Sequence, residues 1–408
     1  MAETSFPKSS IKVLLLENIH PVAKEAFAVE GFQVETVKGA LSEAELVAKI
    51  RDVHLVGIRS KTQITPKVLD EARRLLAVGA FCIGTNQIDL LHANRAGVPA
   101  FNAPVSNTRS VAELIIAEIV MLSRQLGDRL REVHLGQWRK VAVGSHEVRG
   151  HTLGIVGYGH IGSQVGVLAE SFGMRVVFFD VSAKLPMGNN QSLPTLEALL
   201  KVSDFVTLHV PETPSTKNMI GPAELSMMKQ GACLLNASRG TVVQIDALAA
   251  ALASGHVGGA AVDVYPTEPE TNSDGFESAL RNLPNVILTP HIGGSTEEAQ
   301  EAIGKEVSTV LLKYVNQGWT TGAVNFPQVE LPMAKGTHRI LNIHRNVPCV
   351  LRDINKIVSD RNANIRAQVL STDADIGYLI MDLDHDVSQD VKDAVGALPT
   401  SIKTRILF

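Results

Sequence analysis

Arg239, Glu268 and His291 lie in three short strings: Asn236-Ala237-Ser238-Arg239-Gly240, Asp263-Val264-Tyr265-Pro266-Thr267-Glu268-Pro269 and Thr289-Pro290-His291-Ile292-Gly293-Gly294. Each string follows a short apolar run, so each falls at the carboxyl end of a strand, where open α/β sheets bind ligands. Together these side-chain types suit hydride removal from a hydroxy acid. An imidazole titrates near neutrality and takes the hydroxyl proton as the hydride leaves, a task for His291. A carboxylate such as Glu268 orients that imidazole and stabilises its charged form. A guanidinium, Arg239, grips a substrate carboxylate with its bidentate fork and polarises the carbonyl in the reverse direction. Singly, each has a structural reading: one histidine among 13, a solvated loop acid at Glu268 or Glu270, an arginine paired at a helix end. It is the set, in this order, that points to chemistry.

A hydride needs an acceptor, and the chain carries a fingerprint for one upstream. Gly157-Tyr158-Gly159-His160-Ile161-Gly162 fits G-x-G-x-x-G, follows the strand-like run 153–156 and opens a helical stretch. Gly157 permits the tight turn, Gly159 lets the backbone approach a pyrophosphate, and Gly162 allows close helix–strand packing. The helix N-terminus offers free N–H groups to that anion. Asp180 ends the next strand-like run, where a carboxylate accepts hydrogen bonds from ribose hydroxyls and repels a 2′-phosphate. The pattern therefore favours NAD over NADP. Without its context it would also describe an empty glycine turn in an α/β sheet.

The elements that must position these groups are legible as alternation. Apolar runs at 11–16, 55–58, 75–78, 153–156, 176–179, 205–208, 233–235 and 286–288 are separated by amphipathic stretches at 21–29, 42–50, 66–71, 111–126, 161–171 and 245–254. Such a pattern predicts parallel sheets with helices on both faces. It breaks near residue 330, where Pro327, Pro332, Lys335 and Gly336 suggest a linker with Gly336 as a hinge. Beyond it the order β-α-β-β-α-β fits into about 70 residues, a ferredoxin-like arrangement.

Composition bounds the rest. With 408 residues, 45% hydrophobic and 20% charged, the chain is long and apolar enough for two or three cored domains, and disorder is excluded. The formal net charge of −4 carries no global nucleic-acid footprint. The most membrane-like stretches, 114–122 and 247–264, are interrupted by Glu118 and by His256 and Asp263, so no span is expected. Cys82, Cys233 and Cys349 are too far apart for a zinc knuckle or redox pair, and no metal site is read. A soluble, cytoplasmic protein is the expectation.

On the ordered set Gly157–Gly162, Arg239, Glu268 and His291, the chain resembles the D-2-hydroxyacid dehydrogenase family. Gly84-Thr85-Asn86, Asn102-Ala103-Pro104, Asn107-Thr108-Arg109-Ser110-Val111-Ala112-Glu113 and Leu208-His209-Val210-Pro211 agree with it. The C-terminal module resembles an ACT domain, as in the branch that oxidises 3-phospho-D-glycerate to 3-phosphooxypyruvate, the first step of L-serine biosynthesis. The resemblance implies two flavodoxin- or Rossmann-like doubly wound domains and a ferredoxin-like ACT domain. Residues 1–105 and 295–332 would form a discontinuous substrate domain, 106–294 the NAD domain and 337–408 the regulatory domain, with catalysis in a cleft closed by a hinge.

It further implies NAD contacts from Gly157, Gly159, His160, Ile161, Gly162, Asp180, Ala237, Ser238, Arg239, Asp263, His291, Ile292, Gly293 and Gly294. Substrate contacts would come from Arg59, Asn107 and Arg239. A phosphorylated acid needs cations beyond Arg239, and the turn Ile58-Arg59-Ser60-Lys61 offers Arg59 and Lys61. Trp138-Arg139-Lys140 is a second basic cluster, suited either to a subunit contact or to solvent. In the ACT module, His344, Asn346 and Asn364 match positions where such enzymes bind L-serine between paired ACT domains. Pro348-Cys349 departs from the usual Pro-Gly turn there, and a Cβ would crowd the ligand or demand another backbone. A homotetramer is implied, with no nucleic-acid or membrane partner. Other members of the family, acting on glycerate, formate or phosphoerythronate, stay open at this point, as does an NADH-sensing regulator without turnover.

Overall fold

Short apolar runs, buried on both faces in the central strands, build the two larger sheets. The computed structural model describes residues 5–269, 275–333, 336–384 and 388–408; Glu270 and Lys335 lie outside the described residues. Its contacts divide the chain into two compact units, Met1–Ser106 with Gln300–Phe408, and Asn107–Ala299.

The first unit begins with strands β1 (Lys12–Leu15), β2 (Gln33–Thr36), β3 (Leu55–Ile58), β4 (Ala77–Ala80) and β5 (Ala100–Phe101), all parallel, in the order β2-β1-β3-β4-β5. This is the flavodoxin-like order, and its switch point lies between β1 and β3. Helix starts are capped as the sequence allows: Ser42 and Glu45 form a reciprocal capping box, and Thr65 and Asp89 accept from the N–H groups of Val68 and His92.

The second unit holds β6 (Thr152–Val156), β7 (Arg175–Phe179), β8 (Gln191–Ser192), β9 (Phe205–Leu208), β10 (Ala232–Asn236), β11 (Val257–Val262) and β12 (Val286–Leu288). They form one parallel sheet in the order β12-β11-β10-β9-β6-β7-β8, a Rossmann order with one added strand. The helix Thr108–Ser123 packs Val111, Ile115, Ile119 and Leu122 into a core shared with β6, β7 and β10. Its expected start at residue 111 moves back to Thr108.

The C-terminal module pairs β13 (His338–Arg345), β14 (Ile365–Thr372), β15 (Ile376–Leu383) and β16 (Ser401–Leu407) antiparallel, in the order β14-β15-β13-β16, with helices Val350–Asp360 and Ser388–Gly396. Strand alternation sends two apolar sets to opposite faces. Ile340, Leu379, Met381 and Leu383 meet Val350, Ile354 and Val358 of the first helix. Leu341, Ile343, Tyr378 and Ile380 join Phe101 of β5 and Leu311 and Tyr314 of the segment after Gln300 in one core.

That second face changes the picture of a module swinging on a linker. Arg339 is fully buried, paired with Asp382, and donates to the carbonyls of Gln317, Leu331 and Pro332. Tyr378 donates to Gly318 O at 2.6 Å and Lys403 to Leu75 O at 2.8 Å. Gly336 does adopt the left-handed backbone expected of a turn, with φ +74°. The module after it is nevertheless docked, through buried groups, within the first unit.

Candidate active site

At the carboxyl edge of the second sheet the ends of β6, β7, β10, β11 and β12 deliver the fingerprint, Asp180 and the three strings that carry Arg239, Glu268 and His291. The glycine turn is built as its pattern requires. Gly157 has φ +90°, and a Cβ there would meet the His209 carbonyl oxygen at 2.4 Å. A Cβ on Gly162 would lie 2.2 Å from the Gly157 carbonyl oxygen. Gly159 differs: a Cβ there would point into open space. It is the N-cap of helix His160–Ser171 and has no side-chain cap, so the helix start faces that space with backbone donors. Steric closure behind the turn and room in front of it fit a pyrophosphate.

Asp180 follows β7. Its Oδ2 accepts from Tyr158 N at 2.9 Å, and its Oδ1 from Ser182 N and Oγ, both at 2.9 Å. Burial pushes its pKa up, but these hydrogen bonds and the charge of Lys184 outweigh it and hold the carboxyl below its ordinary range. The group is therefore a fixed anion, as a ribose acceptor must be. Tyr158, an x position of the fingerprint, is more than a spacer. Its ring stacks on Phe178 at 3.8 Å, and its hydroxyl accepts from Asn190 and Met187 N.

Arg239 sits on a turn that Asn236 organises. Asn236 Oδ1 accepts from Ser238 N at 3.1 Å and Oγ at 2.8 Å, while its Nδ2 donates to Arg239 O at 3.0 Å. Gly240 has no room for a side chain, since a Cβ would be 2.0 Å from the Tyr265 backbone. Arg239 itself is half-buried, with Nη1 donating to Ser238 O at 2.7 Å.

His291 Nδ1 donates to Glu268 Oε2 at 2.9 Å and Oε1 at 3.0 Å. The hydrogen bond to Glu268 raises the imidazole's pKa above its ordinary value against the opposing effect of burial, with help from the charges of Glu268 and Asp263. Burial pushes Glu268 up, but His291, the Tyr265 N–H and Arg239 together bring it below the ordinary carboxylate range. The three groups thus sense one another, and the histidine–carboxylate couple is biased toward an imidazolium–carboxylate pair.

The loop carrying His291 is pinned by Asp263, which is 1% exposed. Asp263 Oδ1 accepts from Thr289 Oγ1 at 2.6 Å and Ile292 N at 2.8 Å, and Oδ2 from Gly293 N at 2.8 Å. His291 is held between these anchors at φ +54°, a backbone region that non-glycine residues seldom adopt. Asp263, expected as a cofactor contact, thereby has a mechanical task that its motif did not reveal. Asn107 lies at the same loop: its Nδ2 would be 2.5 Å from a Cβ on Gly294, and its buried Oδ1 has no hydrogen-bond partner among the described residues. An orphaned acceptor beside the catalytic loop suits a ligand donor.

Two further expectations divide differently. Arg59 and Lys61 follow β3 in the first unit, not the second; Arg59 is half-buried, Lys61 exposed. In the ACT module, His344 is buried, with Nδ1 against Asn342 Oδ1 at 2.9 Å. Asn346 donates to Asp373 O beyond the β13–β15 pair Arg345–Ile376, whereas Asn364 precedes the β14–β15 pair Ile365–Leu383. Seven residues of β15 separate those ends, on the order of 20 Å. One chain therefore does not bring Asn346 and Asn364 together. Cys349 is exposed and keeps φ +75°, the glycine-type backbone, despite its Cβ.

Glu118 was visible in sequence only as an interruption of an apolar run. It is 2% exposed on helix Thr108–Ser123, its Oε1 has no hydrogen-bond partner among the described residues, and burial plus the charge of Asp263 pushes its pKa up to about 8.

Comparison with known proteins agrees with this geometry. The family described as D-isomer specific 2-hydroxyacid dehydrogenase, NAD binding domain, matches residues 116–293, and an AHAS small subunit-like ACT domain matches residues 340–403. The solved D-lactate dehydrogenase of Aquifex aeolicus, complexed with NAD and lactic acid, superposes with a TM-score of 0.67 at 28% identity, covering 78% of this chain and 100% of that one. Fold and site together define an NAD-dependent dehydrogenase of D-2-hydroxy acids that carries an ACT domain. Two curated D-3-phosphoglycerate dehydrogenases are similar over the whole length. That of Dictyostelium discoideum is 57% identical over 405 residues, covering 99% of each chain, and that of Escherichia coli (strain K12) is 52% identical over 411 residues, covering 100% of each. The chain belongs to the D-3-phosphoglycerate dehydrogenase family.

Proposed function

We propose that this chain oxidises 3-phospho-D-glycerate to 3-phosphooxypyruvate, and that Arg239, Glu268 and His291 carry the chemistry. The observation that carries the reading is the two-oxygen grip of Glu268 on His291 Nδ1, with Arg239 close enough to shift both pKa values. NAD, when bound, supplies the hydride acceptor. With Nδ1 committed to Glu268, His291 turns Nε2 to the substrate hydroxyl and takes its proton. Glu268 stabilises the imidazolium that results. Arg239 holds the substrate carboxylate, and Asn107 Oδ1 accepts a substrate hydrogen bond. Arg59 and Lys61 are the cations for the phosphate.

The test is NADH formation, followed by absorbance, from a panel of D-2-hydroxy acids. 3-Phospho-D-glycerate should give the highest kcat/KM, and a higher value for unphosphorylated D-glycerate would refute the substrate assignment. His291→Asn should lower kcat about 100-fold or more while NADH still binds, as judged by fluorescence titration. An NADH sensor without turnover would show binding and no rate in the unaltered protein.

L-Serine as effector and a homotetramer complete the reading. His344 and Asn346 of one ACT module would meet Asn364 of another, which suits the opposite-end placement of these residues and the position of β14 at the edge of the sheet. Leu130, Val133, Leu135, Trp138 and Val143 form an exposed apolar stretch in the second unit, fit for a subunit contact. Initial rates with and without millimolar L-serine, and sedimentation of the purified chain, test both. A cytoplasmic setting suits the three cysteines, which form no disulfide among the described residues.

A further inference from the structure

The turn that carries Arg59 and Lys61 is tied down by a buried acid. Glu17 directly follows β1 and Leu16, and is 8% exposed. Its Oε1 accepts from Arg59 N at 3.1 Å and Thr62 N at 2.8 Å, and its Oε2 from Lys61 N at 3.0 Å. On the other side of the same turn, Gln87 Nε2 donates to Arg59 O at 2.6 Å. Glu17 reaches this position from a left-handed backbone, φ +58°, followed by Asn18 at φ +53°. Two non-glycine residues in that region cost conformational free energy, so the surrounding contacts must over-determine them. The place is the switch point between β1 and β3, where a flavodoxin-like sheet binds its ligand.

Because three N–H groups of the turn point inward to one carboxylate, they are spent. What the turn presents outward is side chain: Arg59, Ser60 and Lys61. An anion-binding loop of the usual kind offers backbone donors; this one spends those of Arg59, Lys61 and Thr62 on fixing its shape, and its charged side chains are left to do the binding.

We infer that Glu17 is a positioning residue for the phosphate end of the substrate, acting through the backbone of Arg59, Lys61 and Thr62. The inference rests on the reading of Arg59 and Lys61 as phosphate ligands. Glu17 touches no substrate; it sets where the cations start.

The experiment is steady-state kinetics of the full-length protein bearing Glu17→Gln, beside Arg59→Ala and the double variant. A glutamine replaces one acceptor oxygen with an NH₂ that faces a backbone N–H, so a charge-assisted bond is lost and a donor clash is added. KM for 3-phospho-D-glycerate should rise about tenfold or more, with kcat and the KM for NAD within about twofold of the unaltered protein. The double variant should lose less than the product of the two single effects, since both act on one cation. A KM unchanged by Glu17→Gln but raised by Arg59→Ala overturns the Glu17 inference and leaves the phosphate reading standing. A KM unchanged by Arg59→Ala overturns both. Loss of kcat, NAD affinity and thermal stability together would mark Glu17 as merely structural and overturn it as well. Should Glu17→Gln fail to fold, Gln87→Ala loosens the same turn at Arg59 O, and releases Gly84 O and Cys82 Sγ with it. It should raise the same KM by a few-fold with kcat kept, and an unchanged KM there overturns the inference.

Discussion

Glu268 offers both carboxylate oxygens to a single nitrogen of His291, at 2.9 and 3.0 Å. Two acceptors on one ring nitrogen fix the ring plane and the tautomer, and they favour the charged ring. In the proposed mechanism Nε2 takes the substrate's hydroxyl proton, and the ring that takes it is oriented by a residue 23 positions upstream in sequence.

Glu268→Gln removes that bias. The amide still accepts a hydrogen bond but carries no charge, so the His291 pKa, raised in the unaltered protein, falls. For hydroxy-acid oxidation the free-enzyme base must be unprotonated, so kcat/KM rises with pH through that pKa. The rising limb should therefore move to lower pH in the variant, and the plateau should drop about tenfold or more because the imidazolium formed in the reaction loses its counter-charge. A pH profile of kcat/KM measures both effects. A plateau loss with an unmoved limb would assign Glu268 a contact with substrate instead.

Glu118 predicts the opposite kind of pH dependence, in stability. Its folded pKa is raised to about 8 from an ordinary 4.5, first by burial and then by Asp263. A group raised on folding contributes stability fully below its unfolded value, and that contribution is lost as pH rises through the folded one. Glu118→Gln keeps the shape and removes the titration. Its Tm should match that of the unaltered protein near pH 5 and exceed it by a few degrees above about pH 8. Equal Tm curves across that range would show Glu118 to be hydrated and free to ionise.

How far the sequence carries is clear from these two acids. Glu268 was identifiable because its order after the fingerprint, with Arg239 and His291, has a chemical rationale. Glu118 looked like a flaw in an apolar run, since nothing in a one-dimensional pattern shows that Asp263, 145 positions later, lies near it. The parallel sheets were legible because a strand buried on both faces leaves a continuous apolar signature. The shift of the helix start from 111 to Thr108 was not, because Asn107 caps it without a side-chain hydrogen bond. Glu17 and Asp263 share a further reason for being missed: each acts on backbone N–H groups, whose partners no motif records.

Arg339 and Asp382 test whether the ACT module is docked or tethered. Both side chains are buried, at 0% and 1% exposure, and Arg339 also satisfies three backbone carbonyls of the preceding segment. Arg339→Met strands the Asp382 charge and should destabilise the first unit by about 3–5 kcal/mol in denaturant unfolding. Arg339→Met with Asp382→Leu should regain a large part of that loss. The single variant should also become cleavable by protease between residues 331 and 338. Retained stability and resistance would indicate that the apolar face of β13 and β15 suffices to hold the module.

Cys349 stands where a glycine would be expected, and its backbone settles the matter of crowding in one direction. With φ +75° and ψ −4°, it caps helix Val350–Asp360 in the glycine conformation, and its carbonyl accepts from Asp353 N at 3.0 Å. Its Cβ sits on a left-handed backbone that favours glycine, which places strain within the residue. Cys349→Gly relieves about 1–2 kcal/mol of left-handed strain, and greater freedom of the unfolded chain takes back about 0.4–1 kcal/mol. The net gain should be about 0.5–1 kcal/mol, visible as a small rise in the denaturant midpoint. Since the turn is already in place, L-serine inhibition should be present in the unaltered protein and change little in Cys349→Gly, while Asn346→Ala should abolish it. A protein insensitive to serine that gains inhibition with Cys349→Gly would mean that the sulfhydryl side chain, not the backbone, closes the effector site.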